Sequence, residues 1–268
     1  MFAVSVPTAL SVAGSDPSGG AGIQADLKTF AAHGVYGMAV ITALTAQNTS
    51  TVSGVLAVAG DFIELQLSTV LDDIEPLAIK VGMLGTADIA RSVARGLSEY
   101  AGPIVVDPVM VATSGALLLD PTAEATLRDR VIPLATLLTP NLPEAERILG
   151  ETSPSEWAQR EGVALLLKDG HNTDDIVRDR LYMPDGIVHS FCHPRVVTRN
   201  THGTGCTLSS AIAARLSRGN TLPDAVGGAL DWLAEVIATS ATHSLGRGHG
   251  PLLHSLAVRR ASYPQSTG

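Results

Sequence analysis

Thr8-Ala9-Leu10-Ser11-Val12-Ala13 runs without a charge into Gly14-Ser15-Asp16-Pro17-Ser18-Gly19-Gly20-Ala21-Gly22, and the chain resumes as Ile23-Gln24-Ala25-Asp26-Leu27-Lys28-Thr29-Phe30-Ala31. The first segment reads as a short buried strand and the second as a glycine-rich loop. The third reads as a helix in which Ile23, Leu27, Phe30 and Ala31 recur at helical spacing and face a sheet. Such alternation of strand and helix continues for most of the length, as a sheet layered between helices requires. The fold class that follows is α/β, three layers with a mostly parallel central sheet.

Downstream, Gly37 to Leu44, Val52 to Val58, Leu77 to Val81, Ile104 to Val106, Leu134 to Leu138 and Val163 to Leu167 read as further strands. A hairpin is predicted from Arg180–Met183 and Gly186–Phe191 across Pro184-Asp185, with a last strand over Arg195–Thr198. Helices are expected through Phe62–Leu71, Ala87–Tyr100, Ala123–Val131 and Asn141–Leu149, and two more, Thr204–Arg218 and Asp224–Ser240, close the fold. The tail after about residue 250 is expected to pack loosely. No internal repeat or linker divides residues 1–268, so a single domain is expected.

Asn200-Thr201-His202-Gly203-Thr204-Gly205-Cys206 leads into the apolar run Thr207 to Ala214. Two glycines two positions apart let backbone amides converge, and a helix starting near Thr204 adds unpaired N–H groups and the positive end of its dipole. Together they make an anion site. Cys206 stands in it, and a thiol at a helix N-terminus is expected to have a lowered pKa. By itself the motif also reads as an ordinary helix cap.

Gln47, Met83, Asp107 and Asn141 fall just past predicted strand ends, on the rim where parallel sheets bind ligands. Each has an ordinary explanation alone: a loop amide, core filler, and two turn or cap residues. By position alone, Asp26 is a solvated charge favoured by the helix dipole. The four rim residues together point to a site. Phosphoryl transfer suits it, because that reaction needs positioning, charge neutralisation by a metal and a route for the hydroxyl proton. No G-x-x-x-x-G-K-[ST] sequence is present, so the enzyme is not of the P-loop kind, and Gly14 to Gly22 does not match a dinucleotide fingerprint.

The 268 residues are 45% hydrophobic and 16% charged, with a formal net charge of −8 and a pI near 5.4. That balance argues against a nucleic-acid or anionic-membrane partner recognised through overall charge. No apolar stretch is long enough to cross a bilayer, and the N-terminus lacks signal-peptide features, so a soluble cytoplasmic protein is expected. Cys192 and Cys206 form no disulfide framework and have no zinc-ligand spacing.

The segments Ala13 to Asp26, Thr42 to Asn48, Lys80 to Leu84, Val106 to Met110, Thr139 to Glu144 and Asn200 to Cys206 together resemble the hydroxymethylpyrimidine/phosphomethylpyrimidine kinases of thiamine biosynthesis, in that family's order. The resemblance implies a ribokinase-like fold. It also implies ATP-dependent phosphorylation of 4-amino-5-hydroxymethyl-2-methylpyrimidine, and then of its monophosphate, with Mg²⁺. Carried over, Gln47 would hydrogen-bond the aminopyrimidine edge, Asp26 and Gly14 would border the substrate, and Met83 would lie against the ring. Cys206 would be the base, and Gly203, Thr204 and Gly205 the anion hole. Asn141, Glu144, Lys168 and Asp107 would face the nucleotide, with Glu144 holding Mg²⁺ through water. A homodimer is implied as well.

Three features depart from the family pattern: Thr113 where a lysine is common, Asp169 in place of glycine after Lys168, and a segment Gly150–Gly162 short for the usual helix. Pyridoxal kinase is the nearest rival. A thiol hydrolase using Cys206 with His202, and a pyrimidine-binding protein that has lost catalysis, are the others.

Overall fold

The structure is a computed structural model that describes residues 6–112, 115–170 and 174–255. Its nine strands are β1 (Thr8–Ser15), β2 (Tyr36–Gln47), β3 (Val52–Ala57), β4 (Ala78–Val81), β5 (Ile104–Val106), β6 (Leu137–Leu138), β7 (Ala164–Leu167), β8 (Ile176–Tyr182) and β9 (Val188–Pro194). They form one sheet in the order β3-β2-β1-β4-β5-β6-β7-β8-β9. The six strands β2, β1, β4, β5, β6 and β7 are parallel to one another, and β3, β8 and β9 are added at the two ends through antiparallel pairing. From β1 the chain builds outward first to β2 and β3, then back past β1 to β4 and beyond. The crevice at this reversal lies outside the carboxyl ends of β1 and β4, the place where open α/β sheets bind ligands.

Side-chain alternation sends each central strand into two cores. Leu10, Val12, Ile79, Val81 and Val106 pack beneath helices α2 (Gly60–Leu71), α3 (Ala87–Gly96), α5 (Leu142–Leu149) and α6 (Pro154–Glu161). Ala9, Ala78 and Val105 point the other way, under α1 (Gly22–Ala32), α7 (Thr204–Ser217) and α8 (Leu222–Ser240). The small side chains on this second face suit α7, whose Ala211, Ile212, Ala213 and Ala214 are fully buried.

Several boundaries differ from the sequence reading. The predicted helix over Ala123–Val131 is a short α4 (Ala123–Thr126) that widens to a π turn over Leu127–Val131. A 3-10 turn with Pro133 follows, and only Leu137–Leu138 remain of the predicted strand. The hairpin is longer than predicted, pairing Ile176 with Pro194 at its open end. Arg195–Thr198 is not a strand. There the Arg195 side chain instead ties to the carbonyls of Asp174 and Gly170.

Gly150–Gly162 does hold a full helix. Ser153 and Glu156 form a capping box, Pro154 occupies the first turn, and Gly162 ends the helix in the left-handed conformation. Residues 251–255 are not loose either: Leu252 is 3% exposed and His254 2%, with the His254 Nε2 2.9 Å from Thr207 Oγ1 on α7. Residues 256–268 lie outside the described residues.

Trp157 anchors α6 in the core with 2% exposure. Trp157→Ala removes a large buried side chain and is expected to cost about 3–5 kcal/mol, read as a lower denaturation midpoint in urea.

Candidate active site

A cavity of about 770 Å³ opens at the carboxyl ends of the parallel strands. Gly14, Gln47, Met83, Asp107, Asn141, Glu144, Lys168 and the run Gly203 to Cys206 all line it. They come from separate strand ends and two helix N-termini, gathered by the sheet.

The floor is the start of α7. Gly203 caps the helix with φ +80°, and a Cβ there would overlap the carbonyl oxygen of Gly20 in the first glycine-rich loop. The two glycine loops therefore touch, and only glycine allows it. A second link fastens them. His202 Nε2 is 2.8 Å from Asp16 Oδ2, and the Asp16 carboxylate also accepts the backbone N–H groups of Ser18 and Ala21. Burial opposes the charge on Asp16, but the hydrogen bonds from His202, Ser18 and Ala21 outweigh it and hold the carboxyl below the usual aspartate range. With His202 engaged by Asp16, the imidazole is not paired with Cys206, and the arrangement gives no support to a thiol hydrolase dyad.

Gly205 brings the helix start against a charged pair. A Cβ on it would stand 3.4 Å from Asp107 Oδ2 and 3.6 Å from Lys168 Nζ. Lys168 Nζ is 3.0 Å from Asp107 Oδ1, which Thr139 also approaches. Burial works against the Lys168 ammonium, but Asp107 and Glu144 more than offset it and raise its pKa. Lys168 stays cationic at neutral pH. Beside it, Asn141 and Glu144 form the capping box of α5: Asn141 Oδ1 accepts the Glu144 N–H and Glu144 Oε2 accepts the Asn141 N–H, each at 2.9 Å. Burial raises the Glu144 pKa, with Lys168 pulling the other way. Asp169, the acidic departure, does not line this cavity. On the strand continuation Lys168 points in and Asp169 faces a separate small surface pocket with Arg178 and Arg180. Thr113 lies outside the described residues.

At the opposite end Gln47 closes β2. The Thr45 hydroxyl donates to the Ser15 carbonyl at 3.0 Å and lies 3.2 Å from Gln47 Oε1. Met83 is 9% exposed, with its carbonyl bound by Thr42. A Cβ on Gly14 would come within 3.2 Å of Met83 Sδ, so the bare backbone of Gly14 leaves room for the sulfur.

Two readings are corrected here. Asp26 is neither solvated nor in the cavity; it is fully buried behind the floor, paired to Lys80 at 2.9 Å. The Cys206 thiol is not lowered. Burial pushes it up to about 11, against the pull of Lys80 and of a hydrogen bond from the Gly22 amide. The helix N-terminus alone does not overcome desolvation.

Residues without a predicted role also line the cavity, among them Lys80, Asp179, His193 and Arg195. For Lys80 a signal existed: a lysine inside the apolar strand Leu77–Val81 is a charge that must be buried with a partner. Asp179 and His193 sit on the antiparallel hairpin and Arg195 directly after it, and the hairpin's position over the cavity follows from sheet order and not from local pattern.

A three-layer fold with a cavity at the carboxyl ends of its parallel strands, two touching glycine loops and a buried lysine beside them is that of the ribokinase-like small-molecule kinases. A sequence model described as phosphomethylpyrimidine kinase matches residues 16–253. The chain is 45% identical over 259 residues to hydroxymethylpyrimidine/phosphomethylpyrimidine kinase of Escherichia coli K12, covering 92% of this chain and 96% of that one. It is 44% identical over 268 residues to the thiamine biosynthesis multifunctional protein ThiED of Corynebacterium efficiens, spanning 96% of this chain but 36% of that longer protein. Among solved structures, the ADP complex of Bacillus subtilis pyridoxal kinase superposes with a TM-score of 0.83 at 34% identity, covering 95% of this chain and 99% of that one. The chain belongs to the phosphomethylpyrimidine kinase family, and it is a phosphotransferase.

Asp16→Asn removes the charge that clips the two glycine loops together and is expected to cost about 2–3 kcal/mol at neutral pH. Because the folded carboxyl lies below the ordinary value of about 3.9, its stabilisation is present above that pH and is lost as pH falls through the folded value. Denaturation midpoints of parent and variant should therefore converge in acid.

Proposed function

We propose that the enzyme transfers the γ-phosphoryl group of ATP to the hydroxymethyl oxygen of 4-amino-5-hydroxymethyl-2-methylpyrimidine, and then phosphorylates the monophosphate to the diphosphate, as a step of thiamine biosynthesis. The observation that carries this reading is a single cavity with Gln47 and Met83 at one end, Lys168 and Glu144 at the other, and Cys206 on the floor between them. A carboxamide offers both a donor and an acceptor to the aminopyrimidine edge. The Gln47 oxygen lies beside the Thr45 hydroxyl, and no protein hydrogen bond engages its NH₂ among the described residues, which leaves that group for substrate.

In this reading Gly14 borders the ring and the first-turn amides of Gly203, Thr204 and Gly205 receive the transferred phosphoryl group. Cys206 in its thiolate form, a minor fraction at neutral pH because burial pushes the thiol up to about 11, takes the hydroxyl proton onto sulfur as the substrate oxygen bonds to phosphorus and the bond to the leaving ADP oxygen breaks. Lys168, held by Asp107, and the Asn141–Glu144 turn face the phosphates.

Among the described residues, no group of three His, Cys, Asp or Glu side chains is placed to hold a metal ion. Glu144, a carboxylate on the cavity beside Lys168, suits the water shell of Mg²⁺ held mainly by phosphate oxygens and water, where the ion would neutralise phosphate charge. No helix of the described residues is long and apolar enough to cross a membrane. One family model matching residues 16–253 supports a single kinase domain, and we place the enzyme in the cytoplasm. Leu44 and Leu56, paired across β2 and β3, and Phe62 and Leu65 on α2 are 45–66% exposed. This apolar stripe supports a homodimer, testable by sedimentation. Pyridoxal is the second reading, favoured by the likeness to the B. subtilis pyridoxal kinase.

Product analysis with ATP, Mg²⁺ and hydroxymethylpyrimidine, resolving mono- from diphosphate, tests both steps. A higher kcat/KM for pyridoxal than for the pyrimidine would overturn the substrate assignment. Cys206→Ala is expected to lower kcat by about 10²–10⁴-fold while the pyrimidine still binds, measured by turnover and calorimetry; unchanged turnover removes the thiolate from the reaction.

A further inference from the structure

Behind the floor of the cavity lies an ion pair with no exposure at all. Asp26 on α1 and Lys80 on β4 are both fully buried. Asp26 Oδ1 accepts Lys80 Nζ at 3.0 Å and Ser210 Oγ at 2.7 Å; Oδ2 accepts Lys80 Nζ at 2.9 Å and Ser11 Oγ at 2.5 Å. Four hydrogen bonds saturate the carboxylate, and the two on Lys80 leave the ammonium a third donor. The pair is also directional. Lys80 borders the cavity and Asp26 does not. A Cβ on Gly82 would stand 2.7 Å from Lys80 Nζ, so glycine at the end of β4 makes the space in which the ammonium sits. Ser210, which bonds the carboxylate, follows Cys206 by four residues on α7 and shares its helix face.

We infer that the buried Asp26–Lys80 pair is a positioning device for Cys206, an oriented dipole whose positive end faces the thiol and favours its deprotonated form. A cysteine in an apolar floor loses the hydration a thiolate needs, and the helix N-terminus with the Gly22 amide returns only part of it. A cation held next to the thiol returns more. Keeping the cation at a fixed place without water requires a counter-charge, and Asp26 supplies it away from the cavity lining, opposing the thiolate less than Lys80 favours it. The other charges facing the thiol are Asp107, which disfavours the thiolate, and Lys168, which is coupled to it favourably. Burial opposes the Lys80 ammonium, yet Asp26, then Cys206 and Asp107, hold its pKa above the ordinary lysine value, so it keeps its charge throughout the working range.

The inference rests on the proposed role of Cys206 only for its use in catalysis; the coupling itself is tested on the thiol alone. Cys192 is exposed and is the other cysteine in the chain, so the measurement uses Cys192→Ser as parent. The rate of alkylation of Cys206 by iodoacetamide, a neutral probe, is read by mass spectrometry at a fixed, mildly alkaline pH, where rate follows the thiolate fraction. Lys80→Met is expected to slow alkylation about tenfold or more, and Asp26→Asn, which leaves the ammonium unopposed, to speed it by about the same factor. Opposite signs are what loosened packing would not produce, since that would move both variants one way. The double variant Lys80→Met/Asp26→Asn buries no lone charge and should fall between the two, which keeps the test open should Lys80→Met fail to fold. Rates equal to the parent, or displaced in the same direction for both single variants, overturn the inference. Displacements of the expected signs with no matching change in the pH dependence of kcat would uphold the coupling and reject Cys206 as the base.

Discussion

Asp26 holds its charge in a place where water does not reach, and much of the architecture follows from what that requires. An unpaired carboxylate there would cost several kcal/mol, so its four acceptor sites must be filled by groups from other elements. Ser11 comes from β1, Lys80 from β4 and Ser210 from α7, while Asp26 itself is on α1. Ser11 and Lys80 are register partners on adjacent parallel strands, which places hydroxyl and ammonium side by side on the same face of the sheet. A one-residue slip of β4 would turn Lys80 into the opposite, wholly apolar core. The pair thus fixes register between the two strands whose carboxyl ends frame the crevice, and it docks the helix carrying Cys206 above them.

A second constraint is the close approach of two backbones. The loop Gly14–Gly22 and the turn at Gly203 meet with no side chain between them, and the Asp16–His202 link locks that contact from the side. The contact holds the start of α7, and with it the unpaired N–H groups of its first turn, at one place on the cavity wall. Rigidity at this point comes from loops, the part of a fold that is ordinarily mobile, and it is obtained by glycine contact and one buried charge-assisted bond.

Much of this could be read along the chain. Strand runs, the two glycine loops, the helices beginning near Gly22 and Thr204 and the rim positions Gln47, Met83, Asp107 and Asn141 are local patterns, and local patterns determine local conformation. The hairpin ran longer and Arg195–Thr198 carried no strand because pairing is decided between segments; the helix in Gly150–Gly162, by contrast, was marked locally by the Ser153–Glu156 capping box, Pro154 and Gly162. The Cys206 thiol was misjudged because a helix N-terminus is visible in sequence and desolvation is not. Asp26 reads as solvated because the three residues that make its four hydrogen bonds, Ser11, Lys80 and Ser210, are spread across nearly two hundred residues.

By itself the sequence determined the fold class, the residue types at the cavity and the family, since strand periodicity, glycine spacing and motif order are properties of consecutive residues. Tertiary structure alone decided which charges face the reaction and which stand behind it. It put Lys80 on the floor and Asp26 beneath, turned Asp169 away from the cavity, and engaged His202 with Asp16. The reason is that burial and electrostatic orientation depend on distances between segments far apart in the chain, and those exist only once the sheet has set its order and register.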